Sequence, residues 1–172
     1  KWPKRDTFKV SINLSAIVLN DAMFTKKLPL WIECYKIDPH RIVLEITETS
    51  FIQDLNESII TLESIKSLGF SIALDDFGTG YSSLTYLQKL PIHTIKIDRT
   101  FISAITDQKQ EPYILKAMTE LSHHMKLNVI AEGIETTDQE TLMKSFDIDY
   151  AQGYYYSRPD RIEAILTQLL EI

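Results

Sequence analysis

Short apolar runs along this chain end, one after another, on side chains able to ligate a cation or move a proton. The ends carry Asn13, then Glu45 followed by Glu48, then the adjacent pair Asp75 and Asp76, then Lys96 followed by Asp98, then Glu132 followed by Glu135, and finally Gln152. Converging carboxylates repel one another and lose hydration, so strands gain no stability by ending this way unless positive charge sits among them. A divalent cation supplies that charge. An all-oxygen donor set suits Mg²⁺ or Mn²⁺, whereas zinc would call for Cys or His at set spacings. Adjacent carboxylates at one strand end can reach two ions, one carboxylate bridging, which is the arrangement two-metal phosphoryl chemistry needs. In such a site Lys96 would orient an attacking water or offset charge developing on phosphorus, and Glu132 would complete the second metal or act as a base. Glu48 and Glu135 are read as supports of the metal-binding groups.

A lone Asn, Asp or Glu at a strand end is more often a helix cap or turn residue than a ligand, and the weight here comes from six coincident ends. Asp75 and Asp76 lead into Phe77-Gly78-Thr79-Gly80-Tyr81-Ser82-Ser83, read as a flexible polar turn. Asp-Phe-Gly is also the magnesium motif of protein kinases, but the His-Arg-Asp loop that should precede it is absent, which excludes that reading. His123 and His124 are expected at a solvated edge, and His40 and His93 have no ligand spacing. Cys34, in a helical stretch near Trp31 and Ile32, is expected to pack rather than react. For Tyr154, Tyr155 and Tyr156, stacking on a base and packing around Gly153 are both open.

These residues need elements to position them. Apolar runs at 8–14, 42–47, 70–75, 93–98, 128–132 and 150–152 read as strands of a parallel sheet. Helical spacing between them predicts a helix over 55–68, with Ile59, Ile60, Leu62, Ile65 and Leu68 within it and Gly69 at its C-terminal end. Further helices are expected over 112–125, over 137–146 with Thr137 or Asp138 as cap, and from about Pro159 to the end. An eightfold barrel needs about 250 residues, so six βα units in 172 residues leave two units unaccounted for. A doubly wound open sheet would want a glycine-rich turn after its first strand, and Asn13-Leu14-Ser15 offers none. The expected fold is α/β, an incomplete (β/α) barrel.

Composition sets outer limits. With 44% hydrophobic and 24% charged residues, the chain reads as one globular domain. Eighteen basic against twenty-four acidic residues, a net charge of -6, argue against a partner that is long nucleic acid. One cysteine excludes an internal disulfide framework, and no apolar run approaches the roughly 20 residues that span a bilayer. A cytoplasmic setting is therefore expected. The start Lys-Trp-Pro-Lys-Arg lacks an initiator Met and reads as lying inside a longer protein.

Taken together, Asn13-Leu14-Ser15, Glu45-Ile46-Thr47-Glu48, Asp75-Asp76-Phe77-Gly78-Thr79-Gly80, Lys96-Ile97-Asp98-Arg99, Ala131-Glu132-Gly133-Ile134-Glu135 and Gln152-Gly153-Tyr154 closely resemble, in order, the motifs of the bacterial EAL domain family. The resemblance implies a modified TIM barrel that hydrolyses cyclic di-GMP to the linear dinucleotide pGpG with Mg²⁺ or Mn²⁺. It implies that Asn13, Glu45 and Asp75 bind one metal and that Asp75, Asp76 and Glu132 bind the other. Lys96 would orient the nucleophilic water, Gln152 would help order water and substrate, Glu48 would hold the loop that starts at Asp75, and Glu135 would support Glu132. The loop and helix after Asp76, residues 77–84, would lie near a regulatory homodimer contact. Sensory or GGDEF domains would be attached, with the parent tethered to the inner membrane in some arrangements.

The Glu-Ala-Leu segment that names the family, whose Glu touches metal and whose nearby Arg contacts phosphate, has no counterpart in the sequence. Residues 1–172 are therefore expected to be the C-terminal two-thirds to three-quarters of such a domain, about six of its eight βα units, with activity weakened or lost in isolation. The competing reading is a non-catalytic cyclic di-GMP receptor or protein-interaction module on a degenerate EAL fold. A glycoside hydrolase ranks third, because it gives Lys96 and the adjacent aspartates no role.

Overall fold

The computed structural model describes residues 8–51, 55–79, 84–106 and 113–171. Six strands form one sheet in strict chain order: β1 (Val10–Asn13), β2 (Ile42–Thr47), β3 (Ser71–Phe77), β4 (Thr94–Ile97), β5 (Asn128–Glu132) and β6 (Tyr150–Gln152). Every adjacent pair is parallel, which requires a crossover after each strand, and the sheet curls into a half-barrel.

The described helices are α1 (Ala16–Leu19), α2 (Ala22–Tyr35), α3 (Leu55–Ser67), α4 (Leu84–Leu87), α5 (Arg99–Thr106), α6 (Tyr113–His124), α7 (Thr137–Ser145) and α8 (Ile162–Glu171). Asp21 starts α2 by accepting the Met23 N–H, and Lys36 ends it in the left-handed region at φ 52°. Gly69, at φ 98°, follows α3 as expected, where a side chain would be strained. Two expected helix starts are corrected. The cap of α7 is Thr136, one residue before the predicted pair, in a reciprocal capping box with Gln139. The last helix begins at Ile162, so Pro159 precedes its first turn. The predicted start at Pro112 lies outside the described residues.

Period-two alternation then divides the sheet into two chemically distinct faces. One face, carrying Leu44, Ile46, Ile72, Leu74 and Ile95, packs beneath α1 to α3 in a core with Leu19, Leu28, Leu62 and Ile65. Ile97, Val129 and Ala131 continue it beneath α5 to α7, around Ile102, Leu115 and Met143. The opposite face, inside the curl, carries Asn13, Glu45, Asp75, Lys96, Glu132 and Gln152. The polar side chains of the strands thus gather on the inner face, interspersed with Val43, Ala73 and Ile130. Not every predicted packing residue joins the core: Ile60 is exposed on α3, and Cys34 is exposed on α2, against the expectation that it packs.

His93 is structural. The Nδ1 of His93 accepts the Ile72 N–H at 3.1 Å, and partial burial lowers its pKa, so the ring clasps β4 to β3. His124 lies at the exposed edge, whereas half-buried His123 sits 2.9 Å from the Asp149 carboxylate, which also accepts the Val129 N–H.

Candidate metal centre

Register accounts for most of the site. Asn13 pairs with Glu45 across β1 and β2, Thr47 with Asp75 across β2 and β3, Lys96 with Ile130 across β4 and β5, and Glu132 with Gln152 across β5 and β6. Carboxylates from three strands therefore meet the lysine of a fourth on the inner face. The Lys96 Nζ lies 2.9 Å from Glu45 Oε2, 3.0 Å from Asp75 Oδ1 and 2.6 Å from Glu132 Oε1. Only 3% of the lysine is exposed. Burial alone would lower its pKa, but the hydrogen bonds to Glu132, Glu45 and Asp75 outweigh it, and the ammonium is held charged with a raised pKa.

Regular alternation cannot place both aspartates here, because neighbours along a strand point to opposite faces. A bulge resolves the conflict. Leu74 pairs with Ile95 and Phe77 with Ile97, so three steps on β3 match two on β4, and one extra residue is accommodated at Asp75–Asp76. Asp76 takes φ 55°, in the left-handed region, and Phe77 returns to the apolar face as a buried residue. Carboxylate oxygens of Asp75, Asp76 and Glu132 consequently lie within 4.8 Å of one another. Three carboxylates grouped in this way are a donor set whose chemistry suits a hard divalent cation. Loss of solvent raises the pKa of Asp76, reinforced by the charges of Asp75 and Asp98. Burial likewise raises that of Glu132, against the lowering effect of Lys96. Both groups hold protons more tightly than free carboxylates, the state a bound cation would reverse.

The turn after Asp76 is fastened at several points. Glu48 Oε1 accepts the Gly78 N–H at 3.1 Å, and the Thr79 N–H and hydroxyl both donate to the Asp76 carbonyl. Glu48 is only 7% exposed, and its Oε2 has no hydrogen-bond partner among the described residues. Asp98 caps α5 through the Thr100 N–H and hydroxyl. The predicted site residues therefore separate into groups. Glu45, Asp75, Asp76, Lys96 and Glu132 form the centre, and Glu48 reaches it through Gly78. Asn13 and Gln152 are exposed at its flanks. Glu135 is exposed too, with its backbone N–H bonded to Gln139 Oε1 at 2.7 Å, beside a cleft it shares with Arg99 and Thr100. Gly80 lies outside the described residues. Tyr154 faces the Arg158 guanidinium at 5.1 Å, while Gly153 packs so tightly on Ile134 that a side chain there would meet its backbone.

Sheet and site together define a parallel (β/α) half-barrel with a carboxylate and lysine centre on its inner face, a class suited to binding metal. The family model described as "EAL domain" matches residues 1–159, and the chain belongs to that family. The bifunctional diguanylate cyclase/cyclic di-GMP phosphodiesterase MucR of Pseudomonas aeruginosa is 32% identical over 94% of this chain, which covers 24% of MucR. The probable cyclic di-GMP phosphodiesterase PdeB of Escherichia coli is 39% identical over 87% of this chain and 28% of its own length. The MucR phosphodiesterase structure in complex with c-di-GMP superposes with a TM-score of 0.86 at 33% identity, covering 92% of this chain and 64% of that one. This chain thus spans about a quarter of the length of these curated relatives.

Proposed function

We propose that this chain is the larger part of the catalytic domain of a cyclic di-GMP phosphodiesterase, opening one phosphodiester to give linear pGpG. The observation that carries the reading is the β3 bulge, which turns both Asp75 and Asp76 toward the charge centre around Lys96. A structural strand end has no use for that geometry. Asn13, Glu45 and Asp75 would hold one Mg²⁺ or Mn²⁺, and Asp75, Asp76 and Glu132 the other. When bound, the ions supply a water of lowered pKa and neutralise charge on the phosphate. Lys96, held by its carboxylates, orients the water for addition to phosphorus as the bond to the ribose oxygen breaks and that oxygen takes a proton. Gln152 borders the substrate side, Glu48 fixes the turn, and Glu135 supports the region of Glu132.

The same reading places the chain as the C-terminal two-thirds to three-quarters of its domain, joined to sensory or GGDEF domains in a cytoplasmic setting. The loop and helix after Asp76 would form a homodimer contact, which exposed Tyr86 on α4 would border. No described helix is long and apolar enough to cross a membrane.

The test is incubation of the whole protein carrying this chain with cyclic di-GMP and Mg²⁺ or Mn²⁺, followed by separation of nucleotides. Formation of pGpG, reduced roughly 100-fold or more in Asp75→Asn and Asp76→Asn, is expected. Absence of turnover with either ion, alongside retained cyclic di-GMP binding, would assign the chain to the receptor class instead.

A further inference from the structure

Phe101 has no part in the motif chemistry, yet its ring meets the metal-binding turn directly. Gly78 sits at φ 96°, and a Cβ built on it would lie 2.7 Å from Phe101 Cζ and 2.8 Å from Phe101 Cε2, with Met118 Cε at 3.0 Å. The ring edge therefore rests on the glycine backbone from the side of α5, with Met118 of α6 beside it. On the other side, Glu48 accepts the Gly78 N–H at 3.1 Å. The peptide two residues after Asp76 is thus gripped between a carboxylate from the end of β2 and an aromatic ring from the helix after β4.

This grip acts where the backbone most needs it. Asp76 is a non-glycine residue at φ 55°, a conformation costing about 1 kcal/mol or more, and it persists only where its surroundings impose it. Upstream, the pairing of Leu74 with Ile95 holds the bulge, and downstream the pairing of Phe77 with Ile97 does so. Beyond Phe77 the chain leaves the sheet, and the next restraints are Glu48, Phe101 and the Thr79 bonds to Asp76. A single hydrogen bond fixes the distance of Gly78 from Glu48 but leaves the peptide free to swing about it. Contact with a ring of fixed position removes that freedom.

We infer that Phe101 is a positioning residue for the Asp75–Asp76 turn, acting through Gly78 to keep the Asp76 carboxylate in register with Asp75 and Glu132. The inference rests on the metal-centre reading, and its test separates the two. In the whole protein, Phe101→Leu keeps an apolar side chain for the core around Ile97 and Ile102 while withdrawing the ring edge. Mn²⁺ affinity, read by electron paramagnetic resonance on the metal alone, is expected to fall about tenfold, the lower range for groups that orient metal ligands. The melting temperature without metal is expected to stay near wild type. Gly78→Ala alone should weaken Mn²⁺ binding further, and Gly78→Ala combined with Phe101→Leu should recover part of that loss, because the smaller side chain makes room for the methyl. Hydrogen exchange of the peptide covering Asp75–Thr79, measured without metal, should quicken in Phe101→Leu.

Wild-type Mn²⁺ affinity and unchanged exchange in a folded Phe101→Leu protein would overturn the inference. So would strictly additive losses in the double variant. If the wild-type protein binds no Mn²⁺, the metal reading fails, and the exchange of the 75–79 peptide by itself decides whether Phe101 positions the turn.

Discussion

Lys96 is surrounded by three carboxylates, and this arrangement decides how the centre responds to substitution and to pH. Removing one member of a buried charge cluster leaves the others uncompensated, at a cost of about 3–5 kcal/mol. Lys96→Met is expected to lower the unfolding free energy of the metal-free protein by that amount at pH 7, with less loss near pH 5, where the orphaned carboxylates take up protons. Urea denaturation at the two pH values measures it. The native groups carry a second pH signature. Asp76 and Glu132 have raised pKa values, so their contribution to stability is complete below the ordinary carboxylate range and fades as pH rises through the raised values. A divalent cation must displace those protons at low pH and none at high pH. The rise in melting temperature on adding Mg²⁺ should therefore be larger at pH 8 than at pH 5; equal rises would remove these two groups from the ion. At this scale the sequence is informative, because every member of the centre is a polar residue at or near the end of an apolar run. The convergence of Glu45, Asp75 and Glu132 on one lysine was hidden, since it depends on register between strands. So was the bulge that turns Asp76 inward beside Asp75, since a bulge has no signature in residue type alone. Nor did the sequence disclose the contact of Phe101 with Gly78, which joins positions that only tertiary packing brings together.

Strands were easier to place than helices. Three predicted runs, at 42–47, 128–132 and 150–152, coincide with β2, β5 and β6, because each is a β-branched or apolar stretch that stops abruptly at a polar or turn-forming residue. Helix α2 is not legible as a complete element in the residue pattern. Pro29 lies inside it, where a proline removes a backbone donor, and its many exposed apolar residues blur the amphipathic stripe. The residue pattern predicts helix α7 but leaves its start uncertain by one residue, since Thr136 and Thr137 are equally good capping residues by type. The side chain of Gln139, returning to the Thr136 N–H, decides between them. Close approach of elements was likewise invisible. A Cβ on Gly153 would lie 2.0 Å from the Ile134 carbonyl oxygen, so β6 cannot keep its place beside β5 with any larger residue there. Gly153→Ala is expected to destabilise the fold by about 3 kcal/mol, the upper part of the usual overpacking range, as read from the denaturation midpoint.

Among the described residues, the half-barrel leaves one flank apolar and without a covering strand. The outer edge of β1 has no strand partner among the described residues, and Ile12 upon it is 48% exposed. Between β1 and α2 runs a groove of about 670 Å³ lined by Val10, Ile12, Leu28, Trp31 and Leu44 among others. An unpaired edge beside exposed apolar surface favours association. In the 172-residue chain, Ile12→Lys should reduce both hydrophobic-dye fluorescence and concentration-dependent association, with the unfolding free energy changed by no more than about 1 kcal/mol. Light scattering over a concentration series checks this. Strand counting in the sequence points to six βα units, and six parallel strands are what the described residues form.

Strict chain order in the sheet has a consequence for how the molecule is made. Each strand adds only to the one synthesised just before it, so a nascent chain can extend its sheet strand by strand without waiting for distant sequence. The charged centre does not assemble so evenly. Glu45 and Asp75 precede Lys96 in the chain, so β2 and β3 alone would carry two carboxylates without the lysine that β4 supplies, and Glu132 follows one strand later. The fourth strand is thus the one that sets a positive charge, Lys96, among the carboxylates of its predecessors.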